Sequence, residues 1–244
     1  MSVFFTRRGP VPYLGKMLSD YAIGESVFLN VNGILREFRV VNHGIPSGSS
    51  IYDSSCDGSW LMMKEACYYH SWDEGNTNNY KLSDMNTYLN NDFLAMFEPD
   101  VQNTIKQVKI PYGRYDSSTS LDPLVNSGAN GADVKIFLPS TSELGYDHGS
   151  GVSYHARDGA NLSYFKDTSS TGADEKRVIV VTGTSDDIWW TRTCWGGSEN
   201  FVYYVNDAGK FGYHGAGANH YILPMMIMPS ETKFHAIHNT FLEA

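Results

Sequence analysis

The feature that most constrains the fold of this chain is residues 188–228, which are rich in rings and glycine but poor in aliphatic side chains. They carry three of the five tryptophans and interleave Tyr, Trp, His, Asn, Ser and Gly until Ile222. A segment with so few Val, Leu and Ile residues cannot build a core alone, so the rest of the chain must supply a scaffold. Rigid rings among small polar residues are the composition of a recognition surface.

The net charge of the chain restricts the kinds of molecule that we expect it to bind. The formal net charge is −9, and basic doublets occur only at Arg7-Arg8 and Lys176-Arg177. Nucleic-acid binding needs clustered Lys and Arg, so we expect none. No apolar run approaches the roughly 20 residues that span a bilayer, and the N-terminal residues lack a secretory signal. We expect synthesis in the host cytoplasm, no membrane insertion, and neutral partners such as sugars or protein surfaces.

Local patterns predict an α+β domain of short strands, few helices and long loops. Two apolar runs at residues 26–31 and 34–41 flank an Asn32-Gly33 turn, which predicts a hairpin. Apolar residues at helical spacing predict a helix over residues 83–97, capped by Ser83 and followed by Pro99. Further strands are predicted around residues 60–64, 105–110, 134–138, 177–182, 188–190 and 201–205. A long loop is predicted over residues 112–133, and a capping-box pattern at Ser140 and Glu143 predicts a short helix.

The chain carries no motif of a metal or cofactor site. Its cysteines, Cys56, Cys67 and Cys194, have unrelated spacings, which favours buried free thiols over a disulfide framework. No carboxylate cluster has the spacing of a dedicated calcium loop. No zinc-protease, nucleophile-elbow or phosphate-loop pattern is present. We therefore expect no cofactor, no metal and no catalytic residues.

Six motifs in order carry a resemblance to a known family. They are Phe38-Arg-Val-Val41, residues 50–61, Ser83-Asp-Met-Asn-Thr-Tyr-Leu-Asn90 with Phe93 and Phe97, residues 106–112, residues 136–143, and Trp189-Trp-Thr-Arg192 with residues 204–209. Together they resemble a bacterial and phage family of unknown function whose members carry a C-type-lectin-like domain. That family is in turn similar to the receptor-binding variable proteins that retroelements diversify in phages and gut bacteria. The sequence departs from the usual family ending at residues 220–226, where the expected arginine is missing.

The resemblance implies a domain organisation and a role. It implies one C-type-lectin-like domain, of the variant seen in formylglycine-generating enzymes, over residues 24–229. Residues 1–23 would be an N-terminal arm and residues 230–244 a C-terminal tail, and both are candidates for docking or homo-oligomer contacts. The implied role is adhesion or receptor binding at a virion surface, through residues that follow the Trp-Trp-x-Arg strand.

The candidate ligand-binding residues surround the predicted strand at residues 201–205. Strand alternation places Phe201, Tyr203 and Val205 on one face, and Val202 and Tyr204 on the other. The alternative is that these rings cap the core of a loop-rich fold. The predicted ligand-binding residues are Trp195, Ser198, Glu199, Asn200, Tyr203, Asp207, Lys210, Phe211, Tyr213 and His214.

The neighbouring Trp189, Trp190 and Arg192 are interpreted as architectural residues. Adjacent residues of a strand point to opposite faces, so one tryptophan faces inward and the other faces covering loops. Arg192 is predicted to pair with Asp186 or Asp187, which lie a few residues upstream.

The function expected from the sequence is recognition without catalysis. We expect a tail or head-fibre adhesin that binds a host-surface receptor, either a glycan or a protein, and that contacts other virion proteins. The alternative is a virion structural or decoration subunit whose aromatic face packs on neighbouring subunits. An enzyme is the third class: the cysteine pair of formylglycine-generating oxidases is missing, whereas the two facing carboxylates of a glycosidase are not excluded by sequence.

Overall fold

The architecture is described from a computed structural model, which covers residues 15–118, 123–147, 154–179, 188–236 and 238–242. These residues form sixteen short strands and two α-helices. The first eight strands are β1 Gly15–Met17, β2 Ser26–Val31, β3 Ile34–His43, β4 Ser59–Met63, β5 Tyr69–Ser71, β6 Val108–Ile110, β7 Tyr112–Arg114 and β8 Leu124–Asn126. The others are β9 Ala132–Val134, β10 Ile136–Phe137, β11 Trp189–Cys194, β12 Phe201–Val205, β13 Phe211–Gly215, β14 Asn219–Tyr221, β15 Met225–Met228 and β16 Lys233–His235. The helices are α1 Asp84–Tyr88 and α2 Pro99–Thr104.

The first five-stranded sheet has the order β10-β15-β4-β3-β2 and holds much of the core. Its predicted hairpin is confirmed: β2 pairs with β3 in antiparallel register, with Val31 opposite Ile34. Asn32 and Gly33 both take positive φ values, 52° and 76°, as a two-residue primed turn requires. The inner strands β4 and β15 are buried along their whole length, because both faces of the sheet are covered there.

The second five-stranded sheet has the order β13-β12-β11-β14-β5. All neighbours are antiparallel except β11 and β14, which run parallel. All six residues of the central strand β11 are buried, whereas β13 forms an edge and leaves Tyr213 and His214 exposed. This gradient from a buried centre to an open edge positions the candidate site.

The predicted helix exists but changes its winding along its length. The Ser83 hydroxyl accepts a hydrogen bond from the Asn86 amide at 3.1 Å and so caps α1. Residues Leu89–Phe93 continue as a π-helical turn and Leu94–Met96 as a 3-10 turn. The buried side chains keep the predicted helical spacing: Met85, Leu89, Phe93 and Phe97. Pro99 opens α2 at its first turn, a position where the missing N–H of proline carries no penalty.

Residues from both ends of the described chain pack together. Strand β1 pairs with β16, with Lys16 opposite Phe234, and Leu18 and Tyr21 are buried. Phe241 packs edge-on against Phe234 with ring centroids 5.9 Å apart. The described parts of the predicted arm and tail are therefore paired with each other against the core. The Phe4-Phe5 part of the arm lies outside the described residues.

Several predicted boundaries need correction. The predicted loop over residues 112–133 contains β7 and β8, which pair with each other. The predicted strand over residues 134–138 is split between β9 and β10, which belong to different sheets. The predicted strand over residues 177–182 begins in a 3-10 turn, Glu175–Arg177, and continues outside the described residues. In the part of the chain that the structure covers, no helix has the length and apolar character needed to cross a membrane.

Candidate functional site: an aromatic face at the edge of the second sheet

The hairpin β12–β13 is fixed by its turn. The Gly209 amide donates to the Asn206 carbonyl at 2.9 Å, and the Asn206 side-chain oxygen accepts from the amides of Ala208 and Lys210. Gly209 has φ +69°, and a Cβ there would lie 2.1 Å from the Asp174 carbonyl oxygen. Only glycine satisfies both the left-handed backbone and the close approach.

The strand register places five apolar side chains on one face of the hairpin. Tyr203 lies directly opposite Tyr213, and Val205 lies opposite Phe211. The predicted alternation along residues 201–205 agrees with this register. The four aromatic members of this set, together with two rings from outside the hairpin, form what we call the aromatic face: Tyr154, Trp195, Phe201, Tyr203, Phe211 and Tyr213.

Three rings of the aromatic face are stacked in a row. Trp195 lies between Tyr154 and Tyr213, with centroid distances of 5.1 Å and 4.5 Å and interplanar angles of 19° and 16°. Phe201 meets both Trp195 and Tyr213 edge-on at 5.7 Å. Stacked and edge-to-face pairs are the favourable arrangements of aromatic quadrupoles, so each ring fixes the orientation of its neighbours.

The rings differ in their access to solvent. The Tyr213 side chain is 49% exposed, and Trp195, Phe201 and Phe211 are half-buried. Tyr203 is only 4% exposed, and burial raises the pKa of its hydroxyl. Tyr203 is therefore the buried member of the aromatic face, so the expectation that it contacts a ligand directly does not fit its position.

The polar candidate residues do not all gather at the stacked rings. Glu199 is exposed in the loop before β12, where the Ser198 hydroxyl donates to the Asn200 side-chain oxygen at 2.5 Å. Asp207 and Lys210 are exposed in the turn at the other end of the hairpin. This loop and this turn therefore place the charged side chains at opposite ends of the aromatic face.

His214 lies on the opposite face of the sheet. Its side chain points away from Tyr213 by strand alternation, and its Nδ1 lies 2.9 Å from Nε2 of His220. His220 in turn packs against Trp190 with a centroid distance of 4.4 Å. His214 is therefore the one predicted site residue that belongs to a different surface.

Sequence reasoning missed one member of the aromatic face, Tyr154, and one ring that packs against the face, Tyr146. Tyr154 approaches from a distant loop, and its carbonyl accepts from the Gly196 amide at 2.6 Å. Tyr146 packs on Phe211 with centroids 4.2 Å apart. Neither contact has a local signal, because about 40 or more residues separate the partners along the chain.

Asn78 fixes the loop that carries Trp195 and Glu199. Its amide nitrogen lies within 3.2 Å of the carbonyl oxygens of Trp195, Ser198 and Phe201. Its side-chain oxygen accepts from the Tyr115 amide at 2.9 Å. A buried asparagine with both ends occupied holds three backbone positions of the loop, so the loop enters β12 in a fixed geometry.

Arg192 is buried beneath the site and pairs with Glu143, which corrects the predicted pairing with Asp186 or Asp187. The guanidinium donates two hydrogen bonds of 2.6 Å to the Glu143 carboxylate. Its other donors reach the carbonyl oxygens of Pro111, Leu138 and Asp158. Every N–H of the guanidinium has a partner, as a fully buried arginine requires. With Trp189 and Trp190 also fully buried, the architectural interpretation agrees with the structure.

The predicted capping box at Ser140 forms, and it orients the same glutamate. The Ser140 amide donates to Glu143 at 2.9 Å, and the Glu143 amide donates to the Ser140 hydroxyl at 3.1 Å. The segment makes a turn instead of the predicted helix. The Tyr52 hydroxyl also donates to Glu143, at 2.8 Å, so the carboxylate is fully engaged away from solvent.

Asp158 is the second buried carboxylate of this region. It accepts from the Thr193 hydroxyl at 2.8 Å and from the Gly113 amide at 3.3 Å. Burial raises its pKa to about 6, although the nearby Arg192 opposes the shift. Glu143 and Asp158 are both 0% exposed, and both are hydrogen-bonded within the centre of the domain.

Among the described residues, the structure shows neither a cluster of metal ligands nor a disulfide. No group of three or more His, Cys, Asp and Glu side chains in that part of the chain is arranged to hold a metal ion. Cys56, Cys67 and Cys194 are free thiols; Cys56 and Cys194 are buried as predicted, whereas Cys67 is partly exposed. Burial raises the pKa of Cys56 to about 12, so this thiol does not ionise at neutral pH.

A cavity of about 600 Å³ opens elsewhere, between β3, β4 and the 3-10 turn Glu175–Arg177. None of the predicted site residues lines it. Its lysines are already engaged: Lys64 pairs with Glu37 at 2.8 Å, and Lys176 donates to the Tyr164 carbonyl. Residues 180–187, which follow its lining residue Ile179, lie outside the described residues.

The fold and the site thus define a β-rich α+β domain with an open aromatic face on one edge of a sheet. The family described as "Domain of unknown function (DUF6273)" matches residues 57–230. The chain belongs to this family, since the match covers well over half of its length. No curated protein and no solved structure matches the chain.

Proposed function

We propose that this protein is a non-enzymatic recognition module of a phage particle, with a C-type-lectin-like fold, that binds a host-surface receptor through the aromatic face. The observation that carries the proposal is the row of stacked rings ending in the half-exposed Tyr213. The motifs that resemble phage receptor-binding proteins support the virion setting. The receptor is a glycan or a protein.

The stacked rings are suited to binding because they are already ordered. Trp195 is held on both sides by rings, and its loop is held by Asn78. Binding therefore requires little further loss of side-chain freedom, which is a main cost of association. Tyr and Trp are also the residues that most often dominate binding energy in protein interfaces.

Repetition on a particle would strengthen weak single contacts. A half-exposed tyrosine and a few polar groups give modest affinity to one copy. Several copies held on one virion raise the effective concentration of the second and later binding events, so avidity exceeds the single-site affinity. The same arrangement requires contacts with other virion proteins, for which the termini are candidates.

One observation favours the alternative of a virion structural subunit. Strand β13 is the edge of the second sheet, and an open edge is a template for pairing with another chain. In that role, Tyr213 would be covered by a neighbouring subunit instead of a receptor.

The test is binding of the purified protein to a glycan array and to intact host cells, comparing wild type with Tyr213→Ala. The matched control is Tyr69→Ala, because Tyr69 is 60% exposed and packs on Tyr221, away from the aromatic face. Circular dichroism checks that each variant is folded.

We expect Tyr213→Ala to lose most of the binding and Tyr69→Ala to retain it. Equal binding by both variants and wild type would refute the aromatic face as the site. If wild type binds nothing but forms oligomers in light scattering that Tyr213→Ala disrupts, the structural-subunit alternative replaces the proposal.

A further inference from the structure

We infer that a small polar pocket beside the aromatic face binds one residue of a neutral sugar. The pocket has a volume of about 160 Å³ and is lined by Thr77, Asn78, Asn79, Arg114, Tyr115 and Glu199. We call it the polar pocket. The inference rests on the proposed function and specifies the chemical class of the ligand.

The polar pocket and the aromatic face share one loop. Glu199 stands in the loop between β11 and β12, and Asn78 on the pocket wall holds that loop through the Trp195 and Phe201 carbonyls. A ligand that extends from the polar pocket across this loop would run towards the stacked rings, whose exposed member is Tyr213. This layout suits an oligosaccharide, with one residue in the polar pocket and the next against the rings.

An unused acceptor points to a ligand that donates hydrogen bonds. The side-chain oxygen of Asn79 is buried and has no hydrogen-bond partner in the protein. Buried polar atoms are normally paired, so an orphaned one in a binding pocket calls for an explanation. Asn79 stands at the start of a 3-10 turn and does not cap it through its side chain, so the cap does not hold the amide and a rotation of the side chain would present its oxygen to a ligand in the polar pocket.

The other polar groups of the polar pocket supply both hydrogen-bond donors and hydrogen-bond acceptors. The Arg114 guanidinium is 37% exposed, and its Nη2 lies 3.8 Å from the Asp116 carboxylate, too far for a strong hydrogen bond. The exposed Glu199 carboxylate offers acceptors. A sugar hydroxyl both donates and accepts, so neighbouring hydroxyls on one ring match a guanidinium, a carboxylate and an amide oxygen together.

The charges of the polar pocket favour a neutral ligand. Arg114 and Glu199 carry opposite charges, so the polar pocket has no strong preference for either sign. The protein as a whole carries a net charge of −9, which repels anionic glycans at long range. A neutral pyranose satisfies the hydrogen-bonding groups without this penalty, and its size is of the order of the polar pocket.

The experiment uses an array of neutral and acidic oligosaccharides, followed by titration calorimetry with the array ligands that bind. Glucose, galactose, mannose and N-acetylglucosamine serve as soluble competitors. The variants are Asn79→Ala and Glu199→Gln, with Asn91→Ala as the matched control on an exposed asparagine outside the polar pocket. Glu199→Gln keeps the size of an exposed side chain, so it tests the polar pocket even if Asn79→Ala fails to fold.

We expect Asn79→Ala to weaken binding of a neutral oligosaccharide by about tenfold, the effect of losing one hydrogen bond of typical strength. Glu199→Gln exchanges a charged acceptor for a neutral one, so we expect it to weaken binding by about threefold to tenfold. Asn91→Ala should bind like wild type, and one of the monosaccharides should compete. Wild-type affinity in both pocket variants, together with loss of binding in Tyr213→Ala, would overturn the polar pocket and leave the proposed function standing. Binding confined to acidic glycans, or to host cells after periodate has destroyed their sugars, would also overturn it.

Discussion

Strands β11 and β13 belong to the same sheet and are separated by one strand, yet their environments are opposite. All six side chains of β11 are buried, including a charged arginine, whereas β13 contains an exposed tyrosine, an exposed histidine and two glycines. At β11, the polar side chains of Thr191, Arg192 and Thr193 are all hydrogen-bonded. At β13, the ring of Tyr213 packs on Trp195, Phe201 and Tyr203 and is still 49% exposed.

This difference shows how one sheet serves two purposes. The centre holds the sheet to the rest of the domain through Arg192 and Glu143, so a change there affects folding. The edge is supported from below by Tyr203 and from the side by Trp195, so a change at its surface affects mainly what the edge can contact. The comparison predicts a graded series of substitution effects.

The largest effect is expected from Glu143→Gln. It leaves the buried Arg192 guanidinium without its charge partner, and breaking a buried pair in this way costs about 3–5 kcal/mol. Urea unfolding at pH 7 measures the loss. The control is Lys64→Gln, which removes the partly exposed pair with Glu37 and should cost less than about 1 kcal/mol. Similar losses for the two variants would contradict the assignment of Arg192 and Glu143 to the centre of the fold.

The next effect is expected from Gly113→Ala, which places a methyl group against β11. The added Cβ would lie 2.3 Å from the Ala156 Cβ and 3.0 Å from the Cys194 sulfur. Overpacking of this kind costs typically about 1–3 kcal/mol. Gly33→Ala offers no clash within 4 Å but has φ +76°, so comparing the two unfolding free energies separates crowding from backbone strain. An unchanged unfolding free energy in Gly113→Ala would mean that β7 can move away from β11.

The sequence predicted those elements whose signals are local. The Asn32-Gly33 turn, the Ser83 cap and the alternation along residues 201–205 each depend on residues a few positions apart, and all three agree with the structure. The capping-box bonds of Ser140 also form. They do not start a helix; the carboxylate of Glu143 is also bound by Arg192, 49 residues away in sequence.

The missed features depend on partners that are distant in the chain. The contact of Tyr154 with Trp195 and the Asn78 bonds to the Trp195 loop join separate loops. The packing of Tyr146 on Phe211 joins the end of a turn to strand β13. No periodicity or spacing encodes such contacts, because the loops are brought together only when both sheets form. The predicted candidate residues surround a hairpin that does form, whereas the burial of Tyr203 and the position of His214 on the opposite face could be seen only in the structure.

A smaller, pH-dependent effect is expected at His220, beside the edge strand. Burial, with a contribution from His214, lowers its pKa to about 4. The folded state thus favours the neutral ring, so the stability it contributes is complete above about pH 6.5 and is lost as pH falls towards 4. After allowance for solvent screening, we expect a loss of about 1–2 kcal/mol. Unfolding at pH 7 and pH 4.5 should show a smaller difference in His220→Gln than in wild type.

Asp158, which accepts a hydrogen bond from Thr193 of β11, is expected to show the opposite dependence of stability on pH. Its pKa of about 6 in the folded protein lies above its usual value, so the folded state binds a proton more readily than the unfolded state. Its contribution therefore makes the protein more stable as pH falls from 6 towards 4. We expect Asp158→Asn to steepen the acid-induced loss that His220→Gln reduces. The same direction of change in both variants would contradict one of the two assignments.

The smallest effect on stability is expected from Tyr213→Ala, the substitution proposed to have the largest effect on binding. The ring is half-exposed, and an aromatic pair such as that with Trp195 contributes about 0.5–1.5 kcal/mol. We therefore expect a loss of about 1 kcal/mol in urea unfolding, compared with less than about 0.5 kcal/mol for Lys210→Ala in the adjacent turn. A loss above about 3 kcal/mol would mean that Tyr213 caps the core, which is the alternative interpretation of these rings. If Tyr213→Ala loses little unfolding free energy but no longer binds, then the exposed side chain of β13 serves binding. Folding would in that case depend on the buried strand β11 and not on the edge strand.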